Sequence, residues 1–294
     1  MEQIKIGTCI PGQRLEQWLP GMLEAGFECF EVNFHMSYGG VNLEELARKT
    51  KEIVGDRPVY VASLGYYCNP IQNPDHIENL KHAIDMAPLF GTDMVSTFAG
   101  AYNGRPVEEA MPKFKEVFSE MTRYAADKGI RLAIENCPMG GTWQYAQENI
   151  AFNPRAWEIM FDAVPAENLG LEWEPGHQIL QLIDPVEQLR EWAPKVFHMH
   201  GKDGTVKKDA VRRYGVLGAV DFAPERTPGF GDTNWRDIFS ILHENGYEGD
   251  VCVEGYHDPV YHGQWEMTAQ KHALQYLKWC RGGDFVPNPW DHKE

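Results

Sequence analysis

Several things are scarce or missing in this sequence. The six cysteines, Cys9, Cys29, Cys68, Cys137, Cys252 and Cys280, form no CxxC pair and keep no regular spacing. That excludes a disulfide framework and a cysteine zinc cluster, and predicts reduced thiols, several of them in apolar strand-like runs. No apolar run approaches the roughly 20 residues that span a bilayer, and the N-terminal stretch lacks a basic-then-apolar signal pattern. The expectation is a cytoplasmic protein with no membrane partner. Positive charge is also short: 27 Lys and Arg stand against 43 Asp and Glu, a net −16, which disfavours nucleic acid and anionic lipid. A Gly-x-Gly-x-x-Gly turn is missing after the first strand, where Cys9-Ile10-Pro11-Gly12-Gln13 stands instead, so a doubly wound dinucleotide fold is disfavoured.

What is present is alternation. Short apolar runs at 4–9, 27–34, 58–64, 92–98, 130–135, 169–174, 195–200 and 250–254 read as strands. Amphipathic stretches at 14–25, 43–54, 74–90, a long one ending near 128, then 154–163, 184–192, 234–245 and 265–280 read as helices. Eight βα units argue for an α/β fold of the (β/α)₈ TIM-barrel kind, because parallel strands need helical crossovers and eight such units close on themselves. No linker-like composition divides the chain, so 1–281 is read as one domain and 282–294, with Pro287 and Pro289, as a tail. The segment from 201 to Asp232 is read as one long loop.

The loops after the strands form the active face of such a barrel. Four consecutive strands end in a polar residue there: Glu135, Glu174, His200 and Glu254. A carboxylate in an apolar strand is costly unless it is paired or holds a metal. Three carboxylates and one imidazole make an O₃N set suited to Mn²⁺, Mg²⁺ or Co²⁺, with Zn²⁺ less natural. Glu172 and His198 lie two residues deeper on the same faces and are read as supporting groups. His35 and His257, at other strand ends, are candidate substrate contacts, as is Arg226 in the seventh loop. Lys202, Lys207, Lys208, Arg212, Arg213 and Arg226 make the long seventh loop basic, which suits either a solvated loop or a lid over an anionic or bulky substrate.

The segments Ile134-Glu135-Asn136, 170–177 (Gly-Leu-Glu-Trp-Glu-Pro-Gly-His), 198–203 (His-Met-His-Gly-Lys-Asp), 228–235 (Pro-Gly-Phe-Gly-Asp-Thr-Asn-Trp) and Val253-Glu254-Gly255 resemble the sugar phosphate isomerase/epimerase family of xylose isomerase-like barrels. The resemblance covers nearly the whole chain and is strongest from residue 130 onward. It implies one divalent metal, usually manganese, at Glu135, Glu174, His200 and Glu254. It also implies Glu135 and Glu254 as the acid/base pair and His177 and Lys202 as substrate contacts. One position departs: the family usually has Asp where this chain has Glu174, so an extra methylene must be absorbed by bidentate ligation, a shifted metal or a recessed strand.

The expected chemistry is proton transfer beside a sugar carbonyl through an enediolate, with a metal stabilising the charge and a carboxylate on each face. Return of the proton to the same carbon gives an epimerase, and return to its neighbour an isomerase. Expulsion of a substituent makes the site a lyase or hydratase, for example on 3-keto-glycosides. The expected partner is a small carbohydrate, with a homo-oligomer possible through exposed helices or the tail. Two other classes are disfavoured. A DNA-repair endonuclease on this barrel needs further histidines at the third and fourth strand ends, which read Ser63-Leu64-Gly65-Tyr66 and Ser96-Thr97-Phe98-Ala99. A non-catalytic sugar-binding subunit would bind sugar as well after metal removal.

Overall fold

The computed structural model describes residues 3–218 and 220–290. Strands β1 (Ile6–Pro11), β2 (Cys29–His35), β3 (Tyr60–Tyr67), β4 (Met94–Thr97), β5 (Arg131–Glu135), β6 (Leu169–Trp173), β7 (Val196–Gly201) and β10 (Val251–Val253) close into a barrel in the order β1-β10-β7-β6-β5-β4-β3-β2. Each neighbouring pair is parallel. The helices α1 (Leu15–Ala25), α2 (Leu43–Val54), α3 (Pro74–Phe90), α4 (Val107–Ala126), α5 (Pro154–Ala163), α7 (Pro185–Trp192) and α9 (Trp235–Glu244) are the crossovers, and α10 (Glu266–Cys280) follows the last strand. This is the expected (β/α)₈ architecture.

Local chemistry fixes the ends of these elements. Asn42, Asn73, Asn153, Asp184 and Asn234 each turn a side-chain oxygen onto a backbone N–H of the first helical turn, satisfying donors that have no partner within the helix. Proline occupies the first turn of α3, α5 and α7, where its missing N–H costs nothing. The helix faces turned inward bury Leu80, Ile84, Phe114, Phe118, Trp157 and Trp235 against the outside of the strands.

Three features differ from the sequence reading. β3 runs to Tyr67 rather than to residue 64, because it pairs with β2 as far as His35. A short helix, α6 (Gly176–Leu180), starts directly after Pro175. The long seventh loop is also structured: Asp203–Gly204 (β8) and Glu225–Arg226 (β9) pair as an antiparallel ribbon, and Lys208–Tyr214 forms helix α8. Among the described residues no helix is long and apolar enough to cross a membrane.

Candidate metal centre and its cavity

Inward-facing residues alternate along each barrel strand, so the strand ends bring Glu135, Glu174, His200 and Glu254 together. One ligand atom from each lies within 4.8 Å of all the others. Nδ1 of His200 is 3.4 Å from Glu135 Oε1, 3.4 Å from Glu254 Oε2 and 3.8 Å from Glu174 Oε2. Neighbouring backbone holds these positions. Asn136 donates its side-chain amide to the Glu174 carbonyl (2.9 Å) and accepts from the Glu174 N–H (3.1 Å), clasping the ends of β5 and β6. Asn149 donates to the carbonyls of Glu135 and Cys137, each at 2.8 Å.

The cluster is short of positive charge. Both carboxylate oxygens of Glu174, Oε2 of Glu254 and Nδ1 of His200 are buried with no aligned hydrogen-bond partner. Such atoms are costly to leave unmatched. An O₃N donor set in which Glu174, Glu254 and His200 carry unmatched buried atoms fits a divalent cation. Their acidities divide. Burial, and then Glu254 and Glu225, raise the Glu174 carboxyl to about 8. Burial also lifts Glu135, with Glu254 and Glu174 adding to the rise and His200 opposing it. Burial works against the charged form of Glu254 too, but Lys202, His200 and His257 outweigh it and hold that carboxyl well below its usual range.

Above the cluster opens a cavity of about 500 Å³, lined on its apolar side by Phe34, Tyr67, Phe98, Met139 and Tyr256. Lys202 is buried in its wall, with Nζ 2.9 Å from Glu254 Oε2 and 3.7 Å from Glu174 Oε1. Burial would discharge this ammonium, but Glu174, Glu254 and Glu225 reverse the effect and raise it well above the normal lysine range. His177, in the first turn of α6, places Nε2 2.7 Å from Glu174 Oε1. Burial pulls this imidazole down to about 4, with Lys202 adding to the fall, so it is neutral at pH 7. Gly176 makes the close approach workable, since a Cβ there would lie 3.0 Å from Lys202 Cγ and from the Asp203 carbonyl oxygen. His257 sits at the rim, 3.1 Å from Glu254 Oε1, and His35 also lines the cavity, 3.8 Å from Glu148 Oε2.

Arg226 is a correction. It is not among the residues lining the cavity. Its guanidinium turns to Asp258 at 3.0 Å and lies over Phe230, because an antiparallel ribbon sends successive side chains to opposite faces. The residue that faces inward is its neighbour Glu225, 3.5 Å from Lys202 Nζ and 3.5 Å from His257 Nδ1. Lys207, Lys208, Arg212 and Arg213 are exposed, so the positive charge of this loop, Lys202 apart, lies outside the cavity.

A second buried group sits one layer deeper: Glu31, Glu172, His198 and His200. Glu172 and His198 are where the alternation places them, and β6 and β7 shift register by one residue just before the pair. Glu31 and Tyr67 complete the group and were not foreseen. Glu31 carried the signal, a lone acid in the apolar run Cys29-Phe30-Glu31-Val32. Tyr67 carries no such signal, because a strand expected to end at residue 64 leaves it in the following loop.

A profile of the xylose isomerase-like TIM-barrel family matches residues 22–280. An inosose dehydratase of Clostridium tetani is 34% identical over 95 residues, 31% of each chain. One from Clostridium perfringens strain 13 is 28% identical over 174 residues, 58% of this chain and 55% of that one. The chain therefore matches about a third to just over half the length of these relatives. Among solved structures, an L-ribulose 3-epimerase superposes with a TM-score of 0.67 at 16% identity, covering 95% of this chain and 94% of the other. The 3-keto-D-glucoside 4-epimerase YcjR of E. coli gives 0.69 at 15% identity, covering 95% and 100%. At those identities the likeness is one of fold.

Proposed function

This chain belongs to the xylose isomerase-like TIM-barrel family, and from that premise we propose that it is a divalent-metal-dependent isomerase or epimerase acting on an uncharged keto-sugar. The observation that carries this reading is the placement of Glu135 and Glu254 at equal distances, 3.4 Å, from the same imidazole nitrogen, from strands on either side of the β6–β7 pair. Glu135, Glu174, His200 and Glu254 would hold the ion, with Mn²⁺ the best match to an O₃N set. When bound, the ion supplies positive charge beside the sugar oxygens on which negative charge gathers.

The protein groups do the rest. Glu254, kept ionised by Lys202 and His257, takes the proton from the carbon beside the carbonyl. Glu135, on the other side of the ion, returns one. Lys202, with Nζ against Glu254, and neutral His177 contact the sugar hydroxyls. His35 and His257 contact the substrate from the rim, where the cavity is wide enough for a glycoside. The apolar wall of Phe34, Phe98 and Tyr256 packs against a sugar ring. The cavity argues against a phosphorylated substrate: its buried cation is already bound by three carboxylates, and its lining includes Glu135, Glu225 and Glu254.

A second reading, a dehydratase that expels a hydroxyl from the same intermediate, is favoured by the identity of the sequence relatives. One experiment tests both. Metal-loaded protein is incubated in D₂O with ketoses, 3-keto-glycosides and inososes and followed by NMR. Deuterium at a single sugar carbon with the carbon skeleton and hydroxyls intact supports the isomerase or epimerase. Loss of water with appearance of an enone or its dione supports the dehydratase. Absence of exchange and of elimination with every member of the panel overturns the reading.

A further inference from the structure

The deeper cluster has the donor geometry of a second metal site. We propose that Glu31, Glu172, His198 and His200 hold a second divalent cation of the zinc class beneath the first, with the His200 imidazole shared between the two. Four atoms converge there. Nε2 of His200 is 3.3 Å from Glu31 Oε2 and 3.3 Å from Glu172 Oε1, while Nε2 of His198 is 3.5 Å and 4.0 Å from the same two oxygens. Donors about 2.1 Å from a tetrahedral zinc stand about 3.4 Å from one another, so the spacing needs little adjustment to accept one.

The far sides of the two acids meet at one phenol, whose single proton serves one of them at a time. The Tyr67 hydroxyl is 2.8 Å from Glu31 Oε1 and 2.7 Å from Glu172 Oε2, which leaves Glu31 Oε2 and Glu172 Oε1 turned toward the imidazoles. Outer partners of this kind orient metal ligands. Glu172 Oε1 and His198 Nε2 have no hydrogen-bond partner, in residues that are 0% and 1% exposed. Among the described residues no lysine or arginine forms an ion pair with Glu31 or Glu172, whereas the upper cluster has Lys202. Two carboxylates buried against two imidazoles and one phenol, with His200 Nε2 also within hydrogen-bond distance of Glu31 Oε2, still leave Glu172 Oε1 and His198 Nε2 unmatched and call for a cation. The two sites also differ in kind: O₃N above, and N₂O₂ below, which suits zinc.

His200 presents Nδ1 to the upper cluster and Nε2 to the lower one. With both ions bound it bridges them as an imidazolate, its ring proton released to solvent. Filling one site therefore changes the affinity of the other.

The test counts metal per chain in protein stripped with chelator, reloaded with Zn²⁺ or Co²⁺ and freed of excess ion, without reference to activity. Wild type is expected to hold two equivalents, and Glu172→Gln, His198→Gln and Glu174→Ala one each. The visible absorption of tetrahedral Co²⁺ is expected to disappear in the first two variants and to persist in the third. Circular dichroism checks folding, and the count in wild type stands whether or not a variant folds. One equivalent in wild type, or two in both Glu172→Gln and His198→Gln, overturns the proposal. If the single equivalent is lost in Glu174→Ala and kept in Glu172→Gln, the lower site is absent and the reaction proposed above stands. If wild type holds none, both fall.

Discussion

Glu254 carries the heaviest demand of any single side chain, since it is both a candidate ligand and the candidate base. Glu254→Gln keeps the volume and removes the charge. It is expected to slow solvent deuterium exchange by about 10²- to 10⁴-fold, the usual contribution of a placed acid or base, with an unchanged circular dichroism spectrum; full exchange in that variant removes Glu254 from the reaction. Glu174→Asp restores the residue the family usually carries, and is expected to retain the metal when ions per chain are counted. Loss of the ion would mean that the added methylene sets the reach from the β6 end. These acids were legible because a charge at the end of an apolar strand stands out against its neighbours. Glu31 carries the same signal less sharply, since it lies in mid-strand rather than at an end. Arg226 and Glu225 could not be told apart, because nothing periodic marks which of two adjacent loop residues faces inward.

Among the elements, the β8–β9 ribbon does most to shape the cavity. Asp203, directly after Lys202, accepts from the Gly204 N–H (2.8 Å), the Thr233 N–H (3.0 Å) and hydroxyl (2.6 Å), and the Trp235 indole (3.0 Å). This buried knot ties the end of β7 to the start of α9. Asp203→Ala leaves several donors unmet and is expected to cost about 3 kcal/mol, read from urea unfolding; a loss under about 0.5 kcal/mol would show that the ribbon is held elsewhere. Glu225→Ala, by contrast, removes a wall of the cavity, and is expected to raise KM for the best substrate several-fold more than it lowers kcat. Element ends were readable where a cap residue marks them, as at Asn42, Asn73 and Asn153. They were not readable where pairing alone decides, as in the last turn of β3 into Tyr67, or where a ribbon two residues long is held by side chains thirty positions away.

At the scale of the whole molecule, the first and last parts of the chain are joined on the side remote from the cavity. Arg281, its side chain fully buried, donates to the Ile4 carbonyl (2.7 Å) and to both oxygens of Glu28 (2.6 and 3.0 Å). Burial raises the Glu28 carboxyl, but Arg281 and the Ile6 N–H more than offset this and leave it below its ordinary value. A carboxyl depressed by folding adds stability that is whole above its unfolded pKa of about 4.3 and is lost as pH falls through the folded value. Glu28→Gln is therefore expected to unfold more easily near neutrality and to show a shallower loss of stability below about pH 4.3; an acid limb parallel to that of wild type would refute the assignment. Metal binding at the candidate centre would add a second global term: an ion present at a thousandfold over its Kd raises unfolding free energy by about 4.1 kcal/mol. Calorimetry is expected to show a lower Tm after chelation and recovery on reloading.

The pairing of β1 with β10 has a consequence for how the protein is made. The donors that meet at His200 come from positions 31 to 254, and such long-range partners gather late. A chain still leaving the ribosome lacks Glu254, and with it the complete upper donor set, until its final strand has emerged. Whatever that upper set holds would thus be gripped only at the end of synthesis, and a product truncated before Glu254 would lack that grip.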